Sequence, residues 1–225
     1  MKLSFTSSAV LIACVTATLS GSAMAGVITQ WNFALQTTAA NIGSGTTSLF
    51  GGTTATYATG FGGTGTYRWS TSTYAAVSTG NKSRGVEFLA STAGYDSITL
   101  TWNERHSNTS ANTVSVQTTA DGTNWGEVQV FTFTPAATGT GDTWYSRSVT
   151  LGADATNNSN FGFRVLAAFA PTTGNYLASR STSTYGMSGT LGYDTVTVSG
   201  SAIPAPGAVA LLGLAGVIAR RRSSK

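Results

Sequence analysis

Cysteine is nearly missing from this 225-residue chain, which has only Cys14, close to its start. One cysteine builds neither a disulfide framework nor a cysteine-ligated zinc site. Histidine is as scarce, with His106 alone. No G-x-S-x-G turn accompanies it to supply a nucleophile, so His106, in WNERHSNTS, reads as a polar residue in a loop at a strand end. Charged residues make up only 9% of the chain, and much of the net charge of +4 comes from Lys2 and from Arg220, Arg221, Arg222 and Lys225 at the two ends. Between residues 26 and 203, seven basic residues face eight acidic ones, a net charge of −1. Nucleic-acid binding needs a clustered basic footprint, and that class is excluded. The eight carboxylates lie in eight separate stretches and form no evident acid pair of the kind glycoside hydrolysis requires. No catalytic residue is assigned, and the chain reads as a non-enzyme.

Helical periodicity is also missing between the termini. Alternation with period 2 takes its place, which signals strands. In VITQWNFAL, the residues Val27, Trp31, Phe33 and Leu35 share one face. YDSITLTW alternates Ile98, Leu100 and Trp102 with threonines, and NTVSVQTT offers Val114 and Val116. EVQVFTFT puts Val128 and Val130 on one face, with Phe131 and Phe133 on the other. FGFRVLAAF aligns Phe161, Phe163, Val165, Ala167 and Phe169, and YDTVTVSG adds Val196 and Val198. Asp121-Gly122 between two such runs is a hairpin signal. The chain is rich in Gly, Ser, Thr and Ala, but 5 Trp, 8 Tyr and 10 Phe are enough to fill a core and exclude disorder. The pattern predicts an all-β fold, a jelly-roll-like β-sandwich over residues 26–202. Within it, residues 36–85 are so rich in Thr, Gly and Ser that they read as long loops, pinned by Tyr57, Phe61, Tyr67 and Trp69.

Both ends read as address labels. Met1-Lys2, the apolar AVLIACVTATL and Ala23-Met24-Ala25 form a secretory signal peptide over residues 1–25, a signal helix cut after Ala25. LIAC, ending at Cys14, is a rival lipoprotein processing site, but the apolar run before it is short. At the other end, 13 apolar or glycine residues run from Gly207 to Ala219 and meet three arginines. As a helix they span about 20 Å, short of the roughly 30 Å hydrocarbon core. The arginines stay on the cytoplasmic side, so the exported chain is caught transiently at the inner membrane by its tail.

That tail, PAPGAVALLGLAGVIARRR, resembles the PEP-CTERM sorting signals of Gram-negative bacteria. Pro204 and Pro206 match the motif prolines, Ala205 stands where a glutamate is usual, and a short hydrophobic helix and Arg220, Arg221 and Arg222 complete residues 203–225. The body's last strand, YDTVTVSGSAIP, is similar to those that run into such signals, and WNERHSNTSANTVSVQTTADGTNW is similar to their jelly-roll domains. The resemblance implies processing by an exosortase and delivery to the cell surface or matrix of bacteria that make exopolysaccharide and biofilm. The implied role is structural or adhesive. The alternative is a carbohydrate-binding jelly-roll module that recognises extracellular polysaccharide, with Trp69, Trp102, Trp125 and Trp144 as candidate sugar platforms. No cofactor is expected beyond a structural calcium ion, for which Asp154, Asn157, Asn158 and Asp194 are the candidate oxygen ligands.

Overall fold

The structure, a computed structural model, describes residues 25–204. The signal segment before Ala25, together with Ala205, Pro206, the hydrophobic tail and Arg220–Arg222, lies outside the described residues. Eleven strands form two antiparallel sheets: β1 Gly26–Trp31, β2 Gly45–Phe50, β3 Thr54–Gly60, β4 Gly63–Ser72, β5 Gly85–Ala90, β6 Tyr95–His106, β7 Thr113–Thr119, β8 Gly126–Thr132, β9 Thr143–Thr150, β10 Gly162–Ala167 and β11 Leu191–Ala202. One sheet runs β3-β4-β11-β6-β9, with β1 added to β11, and the other runs β2-β5-β10-β7-β8. Among the described residues, the one helical element is a short 3-10 turn, Ala153–Ala155.

The pairing is nested. β7 pairs with β8, β6 with β9, β5 with β10 and β4 with β11. Successive pairs alternate between the two sheets. This is one long folded hairpin wound around a common core, the topology of a jelly roll. The Asp121 loop forms its tip: the carboxylate accepts the Thr123 and Asn124 backbone N–H groups and the Asn124 side-chain amide. β11 changes partner midway, pairing with β4 over Leu191–Tyr193 and with β1 over Val196–Gly200. Thr195, at φ 50°, sits in the irregularity between the two segments.

The alternating positions of β6, β7, β10 and β11 supply the core. Trp31, tilted against Phe88, and Phe163, stacked on it, run through its middle with ring centres 5.0 Å and 4.8 Å apart. Ile98, Leu100, Val116 and Val198 close around them.

Two sequence expectations need correction. The N-terminal alternation breaks at a bulge between Val27 and Thr29. Val27 is 45% exposed and Thr29 is buried, and Leu35 lies beyond the strand at 85% exposure. Residues 36–85 are not long loops, because β2, β3 and β4 lie within them. Their outward positions carry threonine and serine, and tight glycine turns join them, so the sequence lacks an apolar face to read. Gly51 makes one such turn at φ +71°, where a Cβ would come within 1.8 Å of the Ser83 carbonyl oxygen. Trp69 does enter the core, whereas Phe61, expected to pin this region, is 52% exposed.

Candidate functional site

Arg164 lies on β10 between the inward Phe163 and Val165, so its side chain leaves the outer face of the five-stranded sheet. Register places it in a polar row that crosses every strand: Ser48 opposite Glu87, Glu87 opposite Arg164, Arg164 opposite Gln117, and Gln117 opposite Glu127. At the usual strand spacing, this row is about 19 Å long.

Arg164 Nε and Nη2 both reach Glu87 Oε2 at 2.7 Å. Its guanidinium carbon is 3.6 Å from the Trp125 ring centre and 4.0 Å from that of Phe50. One planar cation so close to two rings is sandwiched between them, and cation–π attraction fixes both aromatics on the sheet face. At the β8 end, Glu127 Oε2 meets Lys82 Nζ at 2.6 Å. Burial alone would raise the Glu127 carboxyl pKa, but the hydrogen bonds from Lys82 and Ser115 and the Lys82 charge hold it below its ordinary value. Every charge in the row is therefore paired. Two open grooves flank its upper end. One, of about 370 Å³, includes Asp121, Asn124 and Glu127, and the other, of about 540 Å³, includes Thr46, Leu89 and Asn160.

The four candidate tryptophans separate. Trp69 and Trp102 are buried between the sheets, while Trp125 and Trp144 are half-buried on outer faces. The alternation around Trp102 already marks it as core, whereas Trp69 falls in the stretch that reads as loops. What holds Trp125 on the outer face is Arg164, which the sequence leaves as an isolated cation inside an apolar run.

The proposed calcium ligands do not converge. Asp194 Oδ2 accepts the Phe61 N–H at 2.7 Å on β11 opposite Asn103. Asn157 caps Gly94 beside Tyr95 at the far end of β6, and the Asn158 amide bonds the Asp154 and Ala120 carbonyls. Among the described residues, no three His, Cys, Asp or Glu side chains gather as a metal site would require.

His106 is not a loop residue. It ends β6, fully buried, and donates Nδ1–H to the Ala111 carbonyl at 2.8 Å. Its Nε2 lies 3.5 Å from Glu104 Oε2, and Ser179 Oγ is 3.4 Å from Nδ1. These three side chains are all buried, and Arg147 Nε already binds the Glu104 carboxylate at 2.8 Å. Burial by itself would raise the Glu104 carboxyl pKa, but Arg147, with His106 beside it, outweighs that and holds it low. This is a polar network inside the sandwich, closed to a substrate.

The described chain ends also come together: Gly26 on β1 pairs with Gly200 on β11. Ala25 and Pro204 therefore leave the same end of one sheet.

No protein-family profile matches the chain, and no curated protein sequence matches it. Among solved structures, it is similar to the CBM22-1 xylan-binding domain of Paenibacillus barcinonensis Xyn10C, at 9% identity and TM-score 0.48 over 80% of this chain and 97% of that one. It is similar to the CBM22-1–GH10 modules of Clostridium thermocellum xylanase 10B complexed with xylohexaose, at 12% identity and TM-score 0.43, covering 68% of this chain and only 25% of that one. It is also similar to the K1 cleaved adhesin domain of Lys-gingipain from Porphyromonas gingivalis W83, at 12% identity and TM-score 0.37 over 69% and 98% of the two chains.

Proposed function

We propose that the folded body is a polysaccharide-binding module, exported and sorted to the cell surface through its PEP-CTERM-like tail. The observation that carries this reading is the polar row with Phe50 and Trp125 stacked on Arg164. Sugars offer two kinds of surface, hydroxyl groups around the ring and C–H faces above and below it. Carboxylate, amide and guanidinium groups bond the hydroxyls, and an aromatic ring packs against the C–H face. A row crossing all five strands follows an extended chain rather than enclosing a small molecule. Its paired charges favour a neutral glycan. Binding would also hold the protein in an exopolysaccharide matrix, so the adhesive role follows from recognition. In the sequence the binding module is the second reading, and this face makes it the first.

The test is equilibrium binding of the exported protein to exopolysaccharide extracted from the producing cells and to soluble xylan. Trp125→Ala removes the outer ring of the stack and is expected to weaken binding about 30-fold, the scale of a binding hot spot near 2 kcal/mol. Absence of binding by the unaltered protein, or equal binding by the variant, overturns the reading. Sorting is tested separately by C-terminal peptide mass spectrometry on protein from its native cells. A terminus near Pro204 to Gly207 is expected, and an intact Arg220–Lys225 end refutes processing.

A further inference from the structure

The other outer face of the sandwich carries a second aromatic cluster, remote from the first. Trp144 on β9 lies opposite Arg105 of β6, an outward position. Phe61, from the β3–β4 turn, packs edge-on against it with ring centres 5.5 Å apart at 74°. Asp194 fixes that turn by accepting the Phe61 N–H. Gly192 leaves a gap in the middle of the sheet, and Arg68 fills it: a Cβ on Gly192 would lie 2.4 Å from Arg68 Cδ. The guanidinium carbon of Arg68 is 5.8 Å from the Trp144 ring centre. One of its nitrogens donates to the Thr59 carbonyl, while Nε is buried without a partner. Asp142 pairs with Arg105 at 2.8 Å, so this face is also close to neutral. Beside it runs a shallow groove of about 320 Å³ that includes Thr101, Asn103, Ser146, Ser148 and Thr195.

The chemistry repeats that of the first face. An exposed Phe61 and a half-buried Trp144 adjoin a guanidinium with one unpartnered nitrogen and a floor of hydroxyl and amide groups. We propose that this face is a second polysaccharide site, and that the module is bivalent and cross-links glycan chains. The inference rests on the reading of the first face. The two sheets pack about 10 Å apart and turn their outer faces in opposite directions. A stiff glycan lying along one face does not bend back over the other, so filling both sites joins two strands. The occupant of each face is a neutral polysaccharide segment.

The experiment mixes the full chain, recovered from cells that export it and confirmed monomeric by sedimentation, with soluble exopolysaccharide from the same cells. Light scattering follows cross-linking as protein is added, and a surface coated with the polysaccharide reports binding. The unaltered protein is expected to give scattering that rises, peaks and falls in protein excess. Phe61→Ala, Trp144→Ala and Trp125→Ala should each abolish the peak yet still bind, with apparent affinity reduced about 100-fold as avidity is lost. Phe61→Ala is the safest of these for folding because Phe61 is already half exposed. Undiminished scattering by both Phe61→Ala and Trp144→Ala overturns the second site and leaves the first intact. Complete loss of binding by Trp125→Ala alone also overturns it, since one face then does everything. Self-association without polysaccharide that Phe61→Ala removes assigns the face to a second copy of this chain instead, and refutes the proposal. No binding by the unaltered protein defeats the first reading as well as this one.

Discussion

Arg147→Met removes the guanidinium that faces Glu104 and keeps most of the aliphatic stem. The Glu104 side chain is 0% exposed and that of Arg147 is 9% exposed, so solvent screens the pair little. Glu104 Oε1 has no hydrogen-bond partner, and Oε2 depends on Arg147 Nε with His106 Nε2 more distant. Deleting one member of such a pair leaves a buried charge uncompensated, which costs about 3–5 kcal/mol. The guanidinium also sits 4.7 Å from the Phe131 ring centre and 4.8 Å from that of Tyr145, contacts that methionine partly replaces. For a body of this size each kcal/mol lowers Tm by about 2–4 °C, so a drop of about 6–20 °C is expected. The pH dependence separates a lost charge pair from lost packing. In the unaltered protein the Glu104 carboxyl is held below its ordinary value of 4.5, so its contribution is present above that pH and fades as pH falls through the folded value. In the variant, burial, the largest single influence on this carboxyl, is opposed by His106 alone, and the carboxyl pKa rises. The sign reverses, and this group's contribution grows as pH falls toward 4.5. Urea unfolding followed by tryptophan fluorescence between neutral pH and pH 4.5 reads both effects. Adding Glu104→Gln should recover part of the loss and flatten the pH difference. A cost below 1 kcal/mol at neutral pH, or a pH slope unchanged from the parent, would refute the reasoning.

Gly85→Ala should destabilise by about 1–3 kcal/mol, because the new Cβ would lie 2.0 Å from the Val165 carbonyl oxygen on the neighbouring strand; urea unfolding with no change would show that β5 and β10 can separate there without cost. Alkaline titration followed by near-ultraviolet absorbance should find the Tyr74 and Tyr193 phenols silent until the protein unfolds, because burial pushes both far above their ordinary value of 10.0. Tyr176, pushed up to about 12 mainly by burial, should ionise late as well. Raised phenol pKa values stabilise the fold below the ordinary value and lose that contribution above it, so stability should fall as pH rises past 10.0. Ionisation of all eight tyrosines near their ordinary value in the folded protein would contradict this burial.

The long inner strands were the most legible part of the chain. β6 reads directly from Ile98, Leu100 and Trp102, and its alternation continues through Glu104 and His106, which are also buried. The latter two are polar, so the sequence suggested a strand end and a loop; burial is possible because Arg147, from a strand that follows about forty residues later, satisfies the carboxylate. The strands β2 to β4 were hidden for a different reason. They lie toward the β2 and β3 edges of the two sheets, where outward threonine and serine face water and little apolar alternation is needed. The Asp121 hairpin needed no tertiary context, because its carboxylate bonds donors only two and three residues ahead.

By itself, the sequence determined that the body is a β-sandwich with an aromatic core, and that its single cysteine builds neither a disulfide framework nor a cysteine-ligated zinc site. These follow from periodicity and composition, which act locally along the chain. The choice among the tryptophans did not. Trp125 and Phe50 meet on Arg164 only because β2, β10 and β8 lie in one sheet, and Trp144 meets Phe61 and Arg68 across the other. Those contacts join residues from 39 to 114 positions apart. Strand order and register decide them, and a pattern of period 2 says which face a residue takes but not which strand lies beside it.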